Sequence, residues 1–224
     1  MVDNDIVIIG ASSDLATAFE SRCKKDKITT LSISQNKNFR NKQNFLSIMD
    51  YIKDYKKIED EIKKLNNPII FFFNGALFEN RPFKSPTKEE ELLTKIINFE
   101  IPNFLFSNLQ TNIKNINKFV FISSMASVKL RNKNYIYGQS KKDLETSVKK
   151  FSEVPYLIFR FGKINTKMSK GHKNPPFTMS TEKATGLIFG NIHKQGIIYP
   201  NNGLKIIASI LKFTPRKVID LIGL

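Results

Sequence analysis

The runs IVII at residues 6–9, IIFFF at residues 69–73 and FVFI at residues 119–122 are apolar at every position. A strand with no polar alternation is buried on both faces, the condition of a parallel sheet with helices packed against each side. Each run stops at a small or polar residue: Gly10, Asn74 and Ser123. Between the runs lie segments whose apolar residues recur at helical spacing. A chain patterned this way is restricted to α/β architectures in which each strand feeds a crossover helix.

The helix after Gly10 starts near Ser13 and carries Leu15, Ala16, Phe19 and Cys23 on one face. Residues 28–34 and 45–49 read as two further strands separated by a polar loop, the second ending at Asp50. Residues 52–65 form a charged amphipathic helix. Residues 86–113 read as one long helix, with Glu89, Glu90 and Glu91 complementing the dipole in its first turn. Pro102 is expected to bend or split it. A helix through Tyr137 runs to about Phe151, residues 155–161 form a strand, residues 181–193 a helix, and residues 196–199 a last short strand. The expected fold is a three-layer, doubly wound α/β domain over residues 1–224, with residues 203–224 as an amphipathic helical tail. Its sheet is expected to be mostly parallel, with about seven strands.

The single cysteine, Cys23, can form no internal disulfide, which fits a reducing cytoplasm. It reads as a small apolar filler. The opening MVDNDIVIIG lacks the basic segment of a signal peptide, and no run approaches the ~18 apolar residues of a membrane span. His172 and His193 have no metal-ligand spacing, so no metal is expected. The net charge of +16 fits an anionic partner. Its lysines are spread along the chain among Asn and Ile rather than gathered beside aromatic residues. We read them as a solvated surface with attraction for a phosphorylated ligand, and not as a nucleic-acid site.

Chemistry concentrates in residues 119–141, FVFISSMASVKLRNKNYIYGQSK. A strand ends in the hydroxyls of Ser123 and Ser124, and a helix then brings Tyr137 and Lys141 onto one face, four residues apart. An ammonium beside a phenol favours the phenolate and lowers a pKa that starts near ~10. Ser124 at the strand end is placed to hold a carbonyl oxygen beside that phenol. About 0.8 such Tyr-Lys spacings are expected by chance in a chain this rich in lysine, so the pair gains meaning only from its surroundings.

Those surroundings resemble the short-chain dehydrogenase/reductase family over essentially the whole chain. The residues carrying the resemblance are the turn Gly10-Ala11-Ser12-Ser13-Asp14-Leu15-Ala16, the motif Asn74-Gly75-Ala76, and the tetrad Asn98, Ser124, Tyr137 and Lys141. To these is added the run Phe161-Gly162-Lys163-Ile164-Asn165-Thr166 after the sixth strand. The resemblance implies an NAD(P)-binding Rossmann fold and a Ser-Tyr-Lys-Asn site, with Tyr137 as proton donor, Ser124 on the substrate oxygen, Lys141 on the nicotinamide ribose and Asn98 holding a water. It further implies that Gly10, Ser12, Ser13, Asp14, Leu15, Ser34, Gln35, Asp50, Asn74, Gly75, Ala76, Tyr137, Lys141, Gly162, Ile164 and Thr166 contact the cofactor, Asp50 at the adenine. Asp14 and Ala16 stand where the family has glycines, and Asp14 is expected to turn aside and cap the helix. The second strand ends in Ser34-Gln35-Asn36-Lys37, with Arg40 close behind and no acid to repel a 2′-phosphate. NADP is therefore favoured, with NAD the alternative.

The expected activity is that of an NADP(H)-dependent oxidoreductase interconverting a ketone and a secondary alcohol. The competing expectation is a non-catalytic, dinucleotide-binding redox-sensing regulator. The resemblance also implies a homodimer or homotetramer. Residues 166–224 look like family members that reduce keto-sugar intermediates of cell-envelope polysaccharides. In the tail, Lys205, Lys212, Arg216 and Asp220 can share one helical face, with Ile206, Ile207, Ile210, Leu211 and Phe213 on the others. Such a helix packs on its own domain or a partner subunit, or lies peripherally on an anionic membrane.

Overall fold

The computed structural model describes residues 4–35, 44–78, 85–171, 174–215 and 218. The strands are β1 (Ile6–Ile9), β2 (Thr30–Ser34), β3 (Phe45–Ser47), β4 (Ile69–Phe72), β5 (Lys118–Ser124), β6 (Tyr156–Phe161) and β7 (Gly196–Ile198). They form one seven-stranded sheet in the order β3-β2-β1-β4-β5-β6-β7. Every pairing is parallel, as apolar character on both strand faces requires.

The helices are α1 (Asp14–Lys25), α2 (Tyr55–Lys63), α3 (Lys88–Lys95), α4 (Ile101–Asn112), α5 (Tyr135–Phe151), α6 (Thr181–Asn191) and α7 (Asn202–Phe213). Alternate strand residues feed two cores. Val7, Ile9, Ile70, Phe72 and Phe121 face Ile58 and Ile62 of α2, Phe106 and Leu109 of α4, and Leu144 and Val148 of α5. Ile6, Ile8, Phe71 and Phe159 face Phe19 and Cys23 of α1, Ala184 and Ile188 of α6, and Leu204 of α7. The three layers follow from this alternation. Phenylalanines fill much of both: Phe72 stacks on Phe121 at 4.7 Å, and Phe19 tilts against Phe71 at 4.5 Å.

The long helix expected over residues 86–113 is in fact two helices joined by a π-turn, Ile96–Glu100. Pro102 occupies the first turn of α4, directly after the π-turn. Thr87 and Glu90 make the capping box that starts α3, and Glu89, Glu90 and Glu91 all lie in its first turn. α7 ends at Phe213, with Thr214 as its C-cap, and the face it buries carries Leu204 and Ala208.

The strand order reverses between β1 and β4, and there the carboxyl ends of the strands open a crevice. Gly10 closes β1 with φ of +78°, and a methyl there would sit 3.0 Å from the Asn74 nitrogen. Only glycine allows this approach of the two loops that flank the crevice.

Candidate active site

Ser124 is the last residue of β5, and its Oγ accepts from the Ala126 N–H at 3.1 Å, capping a short 3₁₀ turn, Met125–Ser127. Its own proton remains available to a ligand oxygen. Ser123, one residue earlier, points to the opposite face and donates to Glu145 inside the protein. The pleat thus separates the two hydroxyls and leaves Ser124 the one half-exposed at the crevice.

α5 carries Tyr137, half-buried, and Lys141, fully buried. Lys141 Nζ lies 6.0 Å from the centre of the Tyr137 ring. It donates to the carbonyls of Asn74 and Ile122, both at 3.1 Å. Burial pulls its pKa down to about 8, while the charge of Glu145 acts in the opposite direction. α5 sits this close because residue 138 is glycine: a methyl there would meet the Ala126 carbonyl oxygen at 2.7 Å.

Asn98 is buried in the π-turn, and its Nδ2 donates to the carbonyls of Ala76 and Thr94, both at 2.7 Å. Its Oδ1, like that of Asn74, is buried without a partner. Buried polar atoms are normally satisfied, so two orphaned oxygens beside the crevice mark unused capacity for a ligand or water. Asn98, Ser124, Tyr137 and Lys141 therefore gather at the carboxyl edge of β4 and β5.

The cofactor candidates are distributed along the same edge. Ser12 is exposed after the Gly10 turn, Leu15 is buried, and Ser13 rather than Asp14 caps α1, accepting from Ala16 N at 3.2 Å. The expectation for Asp14 is corrected here. Its Oδ2 accepts from the backbone N–H of Lys167 at 2.6 Å, with Lys167 Nζ 3.8 Å from Oδ1. Lys167 follows Thr166, whose N–H and hydroxyl engage Ser169 in a small capping box. Met168 reaches across, so that a methyl on Gly75 would lie 3.9 Å from both its Sδ and Asn98 Oδ1. Residues 166–169 thus strap the crevice from α1 to the Asn74-Gly75-Ala76 turn.

Gly162 packs beside Leu204, and Ile164 bridges to Met179. Ser34 ends β2; Gln35 donates to the Met49 carbonyl at 2.9 Å. Asp50 uses Oδ1 to cap the N–H groups of Ile52 and Lys53, at 2.8 and 2.9 Å. Lys37, Arg40, His172, Arg216 and Asp220 lie outside the described residues. Among the described residues there is no cluster of metal-ligating side chains.

Glu145 and Arg160 escaped the sequence reading. An acid one turn beyond Lys141 on a helix, and a lone arginine in the apolar strand YLIFRF, were the legible signals. A charge in a buried strand needs a partner.

No family sequence model matches the chain, and no curated protein matches it in sequence. Solved structures do match in fold. A short-chain dehydrogenase from Burkholderia cenocepacia, in complex with NADP, superposes with a TM-score of 0.80 at 12% identity, covering 96% of this chain and 95% of that one. The ligand-free aldohexose dehydrogenase of Thermoplasma acidophilum gives 0.73 at 12% identity, over 91% and 94% of the two chains. The carbonyl reductase Sniffer of D. melanogaster gives 0.72 at 19% identity, over 88% and 96%. With these matches spanning both chains nearly end to end, the protein shares its three-layer, parallel-sheet Rossmann fold with these dehydrogenases and this reductase.

Proposed function

We propose that the protein is an NADP(H)-dependent oxidoreductase interconverting a ketone and a secondary alcohol at Ser124, Tyr137, Lys141 and Asn98. The observation carrying this reading is Lys141: a buried ammonium held by the carbonyls of Asn74 and Ile122, 6.0 Å from the Tyr137 ring, at the edge where Ser124 ends β5. A buried, unpaired lysine costs stability, and chemistry at Tyr137 gives it a use.

The crevice suits a dinucleotide. Gly10 permits close backbone approach, Ser12 is exposed, the N-terminus of α1 faces the same edge, and Asn74 Oδ1 has no partner. When bound, the nicotinamide supplies or accepts hydride. The chain's own groups do the rest. Ser124 donates to the substrate oxygen and orients it. Tyr137 gives that oxygen a proton in reduction and takes it back in oxidation. The Lys141 charge stabilises the phenolate that results, and Asn98 holds the π-turn against the Ala76 carbonyl. Asp14, whose charge opposes a diphosphate, is drawn aside by Lys167. The end of β2 offers no acid against a 2′-phosphate, which supports NADP over NAD.

Narrower features belong to the same proposal. A keto-sugar is the substrate class to screen first; one fold neighbour is an aldohexose dehydrogenase. The protein acts in the cytoplasm as a homo-oligomer. α7 also rests on an anionic membrane surface, since it exposes Ile206 by 62%, Ile210 by 60% and Phe213 by 86%, beside Lys205 and Lys212.

Titration with NADPH and NADH, followed by intrinsic cofactor fluorescence, comes first, and a screen of keto-sugars and small ketones second. Tyr137→Phe is expected to lower turnover at least about a hundredfold while NADPH still binds. Binding with no turnover on any carbonyl or alcohol would favour the regulator instead. Unchanged turnover in Tyr137→Phe would remove the catalytic assignment.

A further inference from the structure

Arg160 lies on β6 among apolar neighbours, and its side chain is largely buried. Its Nε lies 3.1 Å from each carboxylate oxygen of Glu145, its Nη2 pairs with Oε2, and its Nη1 donates to Tyr199 Oη at 2.7 Å. The buried Glu145 carboxylate also accepts from Ser123 Oγ and, at 2.7 Å, from Ser127 Oγ. Ser127 Oγ is in turn 2.8 Å from the carbonyl oxygen of Ser124, so its single proton is within reach of both acceptors. One carboxylate therefore ties β6 and α5 to the turn on which Ser124 sits.

Glu145 is also one helical turn beyond Lys141 on α5, and its charge acts on that ammonium. The other charged or titratable groups around Lys141 are few among the described residues. Tyr137 shares its helix, Arg160 stands behind Glu145 with Tyr199 beyond it, and Tyr51 sits against Asn74. Burial pushes the Tyr51 phenol up to about 12, so it is neutral at physiological pH. Among the described residues Glu145 is thus the anion whose charge acts on Lys141, and Arg160 is paired with it.

We propose that Glu145, with Arg160 as its counter-ion, is a positioning residue of the Ser124–Tyr137–Lys141 site, fixing the Ser124 turn and keeping the Lys141 amine protonated. This rests on the oxidoreductase reading above. A purely structural ion pair would hold β6 to α5 and leave Lys141 unchanged. A positioning role couples the two, because a buried ammonium with only carbonyl acceptors sheds its proton more readily once the nearby anion is gone.

The test is Glu145→Gln in the full chain, with protonation of Lys141 followed by NMR of ¹³C-labelled lysine, Lys141→Met identifying the signal. Neither cofactor nor substrate is needed. The Lys141 midpoint is expected to fall by about 1 pH unit. In NADPH turnover, kcat/KM is expected to fall at least about tenfold, with its alkaline limb moved the same way. Glu145→Gln leaves a buried guanidinium uncompensated, so the pair Glu145→Gln with Arg160→Met is measured beside it. The double variant is expected to recover stability while its Lys141 midpoint stays below that of the wild type. A wild-type midpoint in either folded variant would overturn the proposal. Unchanged turnover in Tyr137→Phe would instead remove the catalytic reading and leave the measured Glu145–Lys141 coupling standing.

Discussion

At Lys141, stability and chemistry pull in opposite directions. Its folded pKa of about 8 lies below the ~10.4 of an unfolded lysine, so between those values the unfolded chain binds a proton that the folded one has released. Stability contributed by this group therefore rises with pH from about 8 to ~10.4, and below that window the full cost is present, on the order of 3 kcal/mol. Lys141→Met is expected to be more stable than wild type in urea at pH 7, to lose about half or more of that advantage by pH 9.5, and to be inactive. The difference between the two proteins is the quantity to follow. Cys23, whose thiol burial pushes up to about 12, works the other way above pH 9 in both. An identical pH dependence in the two would count against a buried, charged Lys141. A second prediction concerns the strap. Asp14→Asn keeps an acceptor for the Lys167 N–H but removes charge beside the proposed diphosphate site, and should tighten NADPH by about threefold or more. Lys167→Ala, which leaves Asp14 unbalanced, should weaken it; shifts of the reverse sign in fluorescence titrations would place the diphosphate elsewhere. The hydroxyls that end β5 and the helical spacing of Tyr137 and Lys141 were legible because both are local patterns. The Asp14–Lys167 contact was not, since it joins residues 153 positions apart and no local propensity encodes it.

Among the elements, α5 and the turn before it act as one unit. Gly138 lies against the Ala126 carbonyl and 3.2 Å, by its would-be methyl, from Leu130 Cδ2. Gly138→Ala is expected to cost about 1–3 kcal/mol and to lower turnover, because relief of the clash moves Tyr137 away from Ser124. Calorimetry and steady-state rates measure the two effects separately; a variant with wild-type values for both would show that α5 has slack. The break in the helix before α5 was legible in Pro102. That the break takes the form of a π-turn presenting Asn98 was not, since a π-turn arises where packing, here the hold of Asn98 on the Ala76 carbonyl, outweighs regular spacing.

For the whole molecule, the proposed membrane contact rests on the exposed stripe of α7 and the excess of positive charge. α7 contains Lys205 and Lys212 and no acid. The full chain is expected to co-sediment with vesicles of anionic phospholipid and to be released as salt screens the lysines. Ile210→Asp with Phe213→Asp should abolish this without altering NADPH binding. Loss of self-association in the same variant, with wild-type sedimentation unaffected by vesicles, would assign the stripe to a partner subunit. No helix among the described residues is long and apolar enough to cross a membrane.

The sequence by itself determined the layers. Strands apolar on both faces can only be covered on both, and the alternation of strand and helix makes their connections parallel crossovers. It also determined which residue types end β1, β4 and β5, because those ends coincide with breaks in the apolar runs. Only the tertiary structure decided which hydroxyl of Ser123 and Ser124 faces the crevice, that Lys141 is buried between two carbonyls, and that Glu145 and Arg160 stand behind it. Those outcomes depend on register and on contacts between strands and helices far apart in the chain, where packing and charge balance override what any single segment prefers.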